Sequence, residues 1–136
     1  MELPGLKEPV RIELSCHVHA TEDEQKVLRA LWNVLPEHMR ESGRVSVTSF
    51  KARGYYGNPI LIITASVSGP EAKEVLEHLF EKLSSEDRKY LSATLNARLQ
   101  GGKLYLRLNK QKAYAGVIGL SEGDDVIRVV VSFKRK

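Results

Sequence analysis

A chain of 136 residues with 42% hydrophobic content is the size of one ordinary domain, able to close a single core without a metal or disulfide staple. One cysteine, Cys16, excludes an intramolecular disulfide and suits a reducing interior. The net charge of +4 is small but unevenly placed: residues 1–43 carry −3, 44–69 carry +3 with no acid at all, 70–97 carry −2 and 98–136 carry +6.

Base therefore goes with the strand-like segments and acid with the helix-like ones, which creates a positive face able to steer a polyanion. The plain alternative is a charged surface that only solubilises the chain. The amino terminus has no basic region followed by an apolar one, and the longest strongly apolar run, Ile60 to Ala65, is too short to cross a bilayer. A cytoplasmic protein without membrane contact is expected. Few Asn, Gln, Cys and Met beside 28% charged residues hint at a hot environment.

From Val10 to Val18 apolar and polar residues alternate without a break, placing Val10, Ile12, Leu14, Cys16 and Val18 on one face and Arg11, Glu13, Ser15, His17 and His19 on the other. That is a half-buried strand. Thr21-Glu22-Asp23-Glu24 reads as a capping box that starts a helix at Thr21. Val27, Leu28, Leu31, Val34 and Leu35 form its stripe, with Trp32 on the border and Pro36 helping to end it.

Arg44 to Arg53 reads as a strand whose apolar residues change phase, Val45 and Val47 in one and Phe50 and Ala52 in the other. A β-bulge near Thr48 would reconcile them. Ile60 to Val67 is apolar enough for a central strand, and the hairpin so formed is expected at the centre of the sheet. Pro70 fits the first position of a helix with Ala72, Val75, Leu76, Leu79, Phe80 and Leu83 as its stripe. Ser84-Ser85-Glu86-Asp87 is a second start signal, so Pro70 to Leu99 is two helices or one kinked helix.

Lys103 to Leu108 is a strand with Leu104, Leu106 and Leu108 inward and Lys103, Tyr105 and Arg107 outward. Asn109 to Ala115 is a short helical turn and Gly116 to Asp125 a loop. The last strand, Val126 to Phe133, hides Ile127, Val129, Val131 and Phe133 and shows Arg128, Val130 and Ser132, with Lys134 beyond. The order β-α-β-β-α-α-β-(short α)-β predicts an α+β fold: a single, mainly antiparallel sheet of about five strands with helices on one face. One domain is expected over residues 1–136, frayed at 1–8 and 135–136.

Three constellations carry possible chemistry. Lys51-Ala52-Arg53-Gly54-Tyr55-Tyr56-Gly57-Asn58-Pro59 gathers cations, tyrosines and glycines without an acid, at the tip of the hairpin. The open sheet face would present Arg11, His17, His19, Tyr105, Arg107, Arg128 and Lys134, a platform on which single-stranded RNA could stack bases on aromatics and set phosphates on cations. Lys110-Gln111-Lys112-Ala113-Tyr114 repeats the loop's chemistry behind a capping Asn109. For each, the bland alternative is a solvated turn or face.

His17 and His19 share one side of a strand, a spacing that metal sites and acid–base pairs both use, but no third ligand or nuclease pattern accompanies them. Gly123-Asp124-Asp125 is read as a turn. No Walker loop, nucleophile elbow, zinc spacing or dinucleotide fingerprint occurs, so neither a metal nor another cofactor is expected.

Four stretches carry a resemblance: His19-Ala20-Thr21-Glu22-Asp23, Gly54-Tyr55-Tyr56-Gly57-Asn58-Pro59-Ile60, Leu83-Ser84-Ser85-Glu86-Asp87-Arg88, and Leu104 to Gln111 with Ala113-Tyr114. On these the chain resembles the archaeal RNA-binding family described as predicted exosome-associated subunits. The resemblance implies a fold like that of the ribosomal protein that contacts 5S RNA, a non-enzymatic RNA-binding role, and exosome or ribosomal components as partners. Where the family pattern reads Gly-His-Tyr-Gly-Asn-Pro, Tyr55 stands in place of the histidine.

The expected function is thus non-catalytic RNA binding. Lys51, Arg53, Arg107, Lys110, Lys112 and Arg128 would meet phosphates, Tyr55, Tyr56, Tyr105 and Tyr114 would stack or pack on ribose, and Asn58 would add a contact from the loop. A protein-interaction subunit docking on an RNA-processing assembly is the alternative, and a small RNase using His17 and His19 the third. Monomer and homodimer both stay open.

Overall fold

The computed structural model describes residues 8–54 and 56–134. Six strands, β1 (Pro9–Val18), β2 (Ser46–Arg53), β3 (Pro59–Ser68), β4 (Leu99–Gln100), β5 (Lys103–Asn109) and β6 (Val126–Phe133), form one sheet in the order β2-β3-β1-β6-β5-β4. Every neighbouring pair is antiparallel. Five helices, α1 (Glu24–Val34), α2 (Pro70–Lys82), α3 (Ser85–Ala93), α4 (Leu95–Arg98) and α5 (Lys110–Tyr114), connect them, with a 3₁₀ turn at Glu37–Glu41. The fold is α+β.

Alternation decides which face is buried. Ile12, Leu14, Cys16 and Val18 of β1, Ile63, Ala65 and Val67 of β3, Leu104, Leu106 and Leu108 of β5, and Ile127, Val129, Val131 and Phe133 of β6 all point to one side. Against them lie Val27, Ala30, Leu31 and Val34 of α1 and Ala72, Val75, Leu76, Leu79 and Phe80 of α2. Helix α1 packs on β1 and α5, and α2 on β1 and β3. Burial at roughly 25 cal/mol per Å² of apolar surface makes this layer the main source of stability.

Helix boundaries follow local chemistry, with one correction. Ser84 caps α3 by accepting the Asp87 amide at 3.1 Å, Pro70 occupies the first turn of α2 behind Gly69, and Asn109 caps α5 by accepting the Lys112 amide at 2.9 Å. Helix α1, however, starts at Glu24 and not Thr21, because Asp23 is its cap and accepts the Gln25 amide. The reciprocal box belongs to the turn before it: the His19 amide donates to Glu22 Oε1 and the Glu22 amide to the His19 carbonyl, both at 2.9 Å.

Elsewhere the sheet departs from the sequence expectation. The β2–β3 hairpin lies at an edge and not at the centre, which β1 and β6 occupy. Its register runs without a shift from Ser46 opposite Ser66 to Arg53 opposite Pro59, so no bulge forms near Thr48. The phase change is tolerated because the helix layer stops short of β2, where seven residues are exposed and only Ala52 is half-buried. The strand beyond the five expected, β4, takes residues expected to end a helix. The Thr94 hydroxyl, donating to the Tyr90 carbonyl at 2.8 Å, accompanies the break between α3 and α4. Glu8, expected to fray, accepts the Lys134 amide at 2.9 Å and extends the sheet. Residues 1–7, 135 and 136 lie outside the described residues.

Cys16 is buried, and burial pushes its thiol pKa up to about 12, with nearby Lys110 opposing only in part. A thiol without thiolate character is inert. Iodoacetamide should leave Cys16 unmodified in native buffer and label it in denaturant, as read by intact mass; rapid native labelling would contradict this packing.

Candidate nucleic-acid interface

Residues directly opposite in an antiparallel sheet share a face, so the register writes out the open side row by row. One row runs Lys103, Ser132, Arg11, Ser68; the next Tyr105, Val130, Glu13, Ser66, Ser46; the next Arg107, Arg128, Ser15, Thr64, Thr48; and the last His17, Ile62, Phe50. Arg107 and Arg128 are therefore immediate neighbours of like charge, an arrangement that destabilises an isolated sheet by up to roughly 1 kcal/mol.

The cations differ in how they are held. Arg11 is paired with Glu13 at 2.9 Å. Arg107 Nη1 donates to the carbonyls of Glu122 and Gly123 at 3.4 and 3.5 Å, neutral acceptors that fix the guanidinium without cancelling its charge. Arg128 makes no ion pair among the described residues, and its charge helps to hold the His17 pKa below the ordinary imidazole value, after burial, the larger cause. Tyr105 is 42% exposed beside them.

The other expected residues fall elsewhere. Lys51 and Arg53, opposite Leu61 and Pro59, are exposed but lie on the helix-side face of β2, away from Arg107 and Arg128. They remain accessible because no helix covers that strand. At the hairpin tip the Gly54 amide donates to the Asn58 carbonyl at 2.7 Å, and the Asn58 side chain folds over Gly54 so closely that a methyl group there would sit 2.7 Å from Oδ1. Tyr56 is 91% exposed. Tyr55 lies outside the described residues.

Lys110 corrects the sequence reading. It is 1% exposed, and its Nζ donates to the His17 carbonyl at 2.8 Å, Glu22 Oε1 at 2.9 Å and Asp125 Oδ1 at 3.0 Å. An ammonium has three protons, and all three have partners inside the protein. Burial alone would lower its pKa, but the two carboxylates outweigh burial and raise it. Burial would likewise raise Glu22 and Asp125, yet the hydrogen bonds from Lys110 dominate and both are held below the usual carboxylate range. This lysine cannot reach a phosphate.

Tyr114 belongs to the same cluster: its hydroxyl donates to Glu22 Oε2 at 3.1 Å, and it is only partly exposed. Burial, then this bond, pushes its pKa up to about 12. Lys112 alone of the three α5 candidates stays exposed in full. His19, past the end of β1, sets Nε2 3.4 Å from Asp125 Oδ1, and its ring meets that of His17 edge-on at 6.5 Å between centroids. His19, Glu22 and Asp125 could together offer ligands to a metal, but the Lys110 ammonium already bridges the two carboxylates and supplies the positive charge there.

Three residues were missed. Phe50, 57% exposed, adds an aromatic to the open face, and a regular alternation from Ser46 to Ala52 would have placed it there. Tyr90 and Arg98 stack at 5.7 Å and wall a cleft beside Tyr105, Arg107 and Arg128.

A family model described as RNA binding matches residues 11–133. The chain belongs to this RNA-binding family. It is 38% identical over 134 residues to an RNA-binding protein of Pyrococcus abyssi, covering 97% of this chain and 86% of that one. An uncharacterized protein of Methanocaldococcus jannaschii is 42% identical over 125 residues, 90% of this chain and 83% of its own. A crystal structure from Archaeglobus fulgidus, assigned to DUF54, superposes with a TM-score of 0.79 at 30% identity over 91% of this chain and 86% of that one. These relatives of the RNA-binding family chain are archaeal, and among its described residues no helix is long and apolar enough to cross a membrane.

The Lys110 cluster yields a test by linkage. Depressed carboxylate pKa values mean stability present above the unfolded values near 4.5 and 3.8 and lost as pH falls through the lower folded ones. The raised lysine adds stability below 10.5 that is lost at higher pH. Lys110→Met should cost about 2–4 kcal/mol at pH 7 in urea unfolding and flatten the acid limb of the stability profile. An unchanged midpoint would deny the cluster its structural role.

Proposed function

We propose that this protein binds RNA without catalysis, in the cytoplasm and as one domain, through the open sheet face continued by the β2–β3 hairpin. The observation that carries the reading is a sheet left bare on one side whose exposed rows concentrate Arg107, Arg128, Lys103 and Tyr105, joined to a hairpin segment without a single acid from 44 to 69. Cations that no carboxylate neutralises meet phosphates, and exposed rings accept bases of any sequence. Membership of the RNA-binding family and the Pyrococcus abyssi relative's name support the same function.

Lys51 and Arg53 extend the surface around the hairpin, with Tyr56 and Asn58 at its tip and Lys112 at the same end of the sheet; Tyr55, next to Tyr56 in sequence, is proposed to join them. Association with the archaeal exosome, or with ribosomal components or RNA processing, fits a small, acid-poor binding face. Likeness to the ribosomal protein that contacts 5S RNA would give that face a precedent.

One observation favours a second reading. The outer edge of β2 has no strand partner among the described residues, and the strand is bare on both faces. Such an edge can accept a strand from another protein. Partners recovered from extract that survive nuclease would support docking on an RNA-processing assembly; partners released by nuclease support RNA as the link.

With about four phosphates engaged, affinity for single-stranded RNA should fall with a log–log salt slope of about −3. A Lys51→Ala, Arg53→Ala double variant should lose about 10-fold at low salt and make the slope shallower by about 1.4. Tyr55→Ala and Tyr56→Ala should weaken binding without unfolding. Binding that is absent at low salt, or indifferent to salt, contradicts the proposal, and cleavage of the RNA that a His17→Ala, His19→Ala variant abolishes would make the protein a nuclease.

A further inference from the structure

A cleft of about 700 Å³ opens beside the sheet, bounded by the exposed side chains of β5 and β6 on one wall, by α3 and α4 on the other, and by the loop at Glu122. That volume lies within the range of small-ligand sites. Its chemistry is unequal from end to end. Arg107 and Arg128 stand opposite each other in register, one steadied by carbonyls and the other without an ion pair among the described residues. Tyr105 is two residues along β5 on the same face, and Tyr90 faces the cleft from α3.

The single acid in the lining, Glu122, is already engaged: its Oε1 accepts from Arg98 Nη2 at 3.2 Å. Arg98 is itself fixed by donating to the Thr94 hydroxyl at 2.8 Å and by stacking on Tyr90. Three arginines against one glutamate leave the lining at +2. Adjacent like charges held rigid in a folded sheet are most readily satisfied by an anion placed between them, and two guanidiniums suit a phosphate.

We propose that this cleft is a nucleotide subsite: Arg107 and Arg128 clasp a phosphate, and Tyr105 stacks the attached base within the cleft. The inference rests on the RNA-binding reading and narrows it, since it makes one walled cleft, and not the flat face as a whole, the place where a nucleoside monophosphate unit is gripped. Such a unit comes either as a free nucleotide or as a residue of an RNA strand. Tyr90, with Arg98 across it, lines the opposite wall and limits the depth to which a base can enter.

AMP, adenosine and inorganic phosphate, titrated separately and followed by NMR shifts of β5 and β6 amides, test this. AMP should bind at least about 10-fold more tightly than either fragment. Arg107→Gln and Arg128→Gln should erase the advantage over adenosine; Tyr105→Ala should erase that over phosphate and Tyr105→Phe should keep it. Thermal melts of these exposed-site variants establish that each is folded.

The same variants are then titrated with an RNA octamer. A loss of about 10-fold in Tyr105→Ala and Arg128→Gln, with AMP bound as above, supports the subsite within a strand. Octamer binding that these variants leave unchanged removes the subsite from the strand while the RNA reading stands, and together with AMP held no tighter than its fragments it overturns the inference. AMP binding without octamer binding keeps the cleft as a mononucleotide site and removes the RNA reading. Equal response to phosphate and AMP reduces the cleft to a simple anion patch and overturns the inference.

Discussion

The Lys110 ammonium is the constraint around which one end of this molecule is built. A cation taken out of water is tolerated only where its protons and charge are met. Here the partners come from the last residues of β1, the turn before α1 and the residue just before β6, so one side chain at the start of α5 ties together four parts of the chain. Glu22 serves three times, bonding Lys110, accepting from the Tyr114 hydroxyl and closing the His19 turn that feeds α1. Tyr114 and the Asn33 amide, which donates to the Ala113 carbonyl at 2.9 Å, then seal α5 onto α1.

With that end fixed, the face opposite the helices is free to carry charge. Helices α1 and α2 bury one side of the sheet and stop short of β2, while α3 and α4 border the other side only at the cleft beside β5 and β6. The cost of setting Arg107 against Arg128 is small beside the burial of Ile127, Val129 and the β5 leucines on the other side of the same strands, so the fold sustains two like charges side by side. On the proposed function, stability and binding are divided between the two faces of β5 and β6, residue by alternate residue.

Much of this was legible in the sequence because the signals are local. A period of two in Val10 to Val18, Lys103 to Leu108 and Val126 to Phe133 fixes both strand and face, and Ser84, Pro70 and Asn109 announce helix starts through chemistry confined to a few residues. Lys110 was not legible. Its carboxylate partners lie 88 and 15 positions away, and Lys-Gln-Lys is the same string whether it coats a surface or plugs a cluster.

The faces of Lys51, Arg53 and Phe50 were hidden for a related reason. Apolar phase locates the core only in a strand that has a core on one side, and β2 lies beyond the helix layer. Tyr90 and Arg98 sit in short helices with weak stripes, and only the fold brings them beside Tyr105. A two-residue strand such as Leu99–Gln100 has no period to read.

The central claim is that RNA lies on the open face and the hairpin, not on the helix layer. Ultraviolet crosslinking to single-stranded RNA with peptide mapping tests it most directly, since target and contact residues are reported together. Crosslinks to Tyr105 in β5, to Phe50 in β2 and to the hairpin tip at Tyr56 are predicted. Crosslinks confined to α2, between Pro70 and Lys82, would contradict the account.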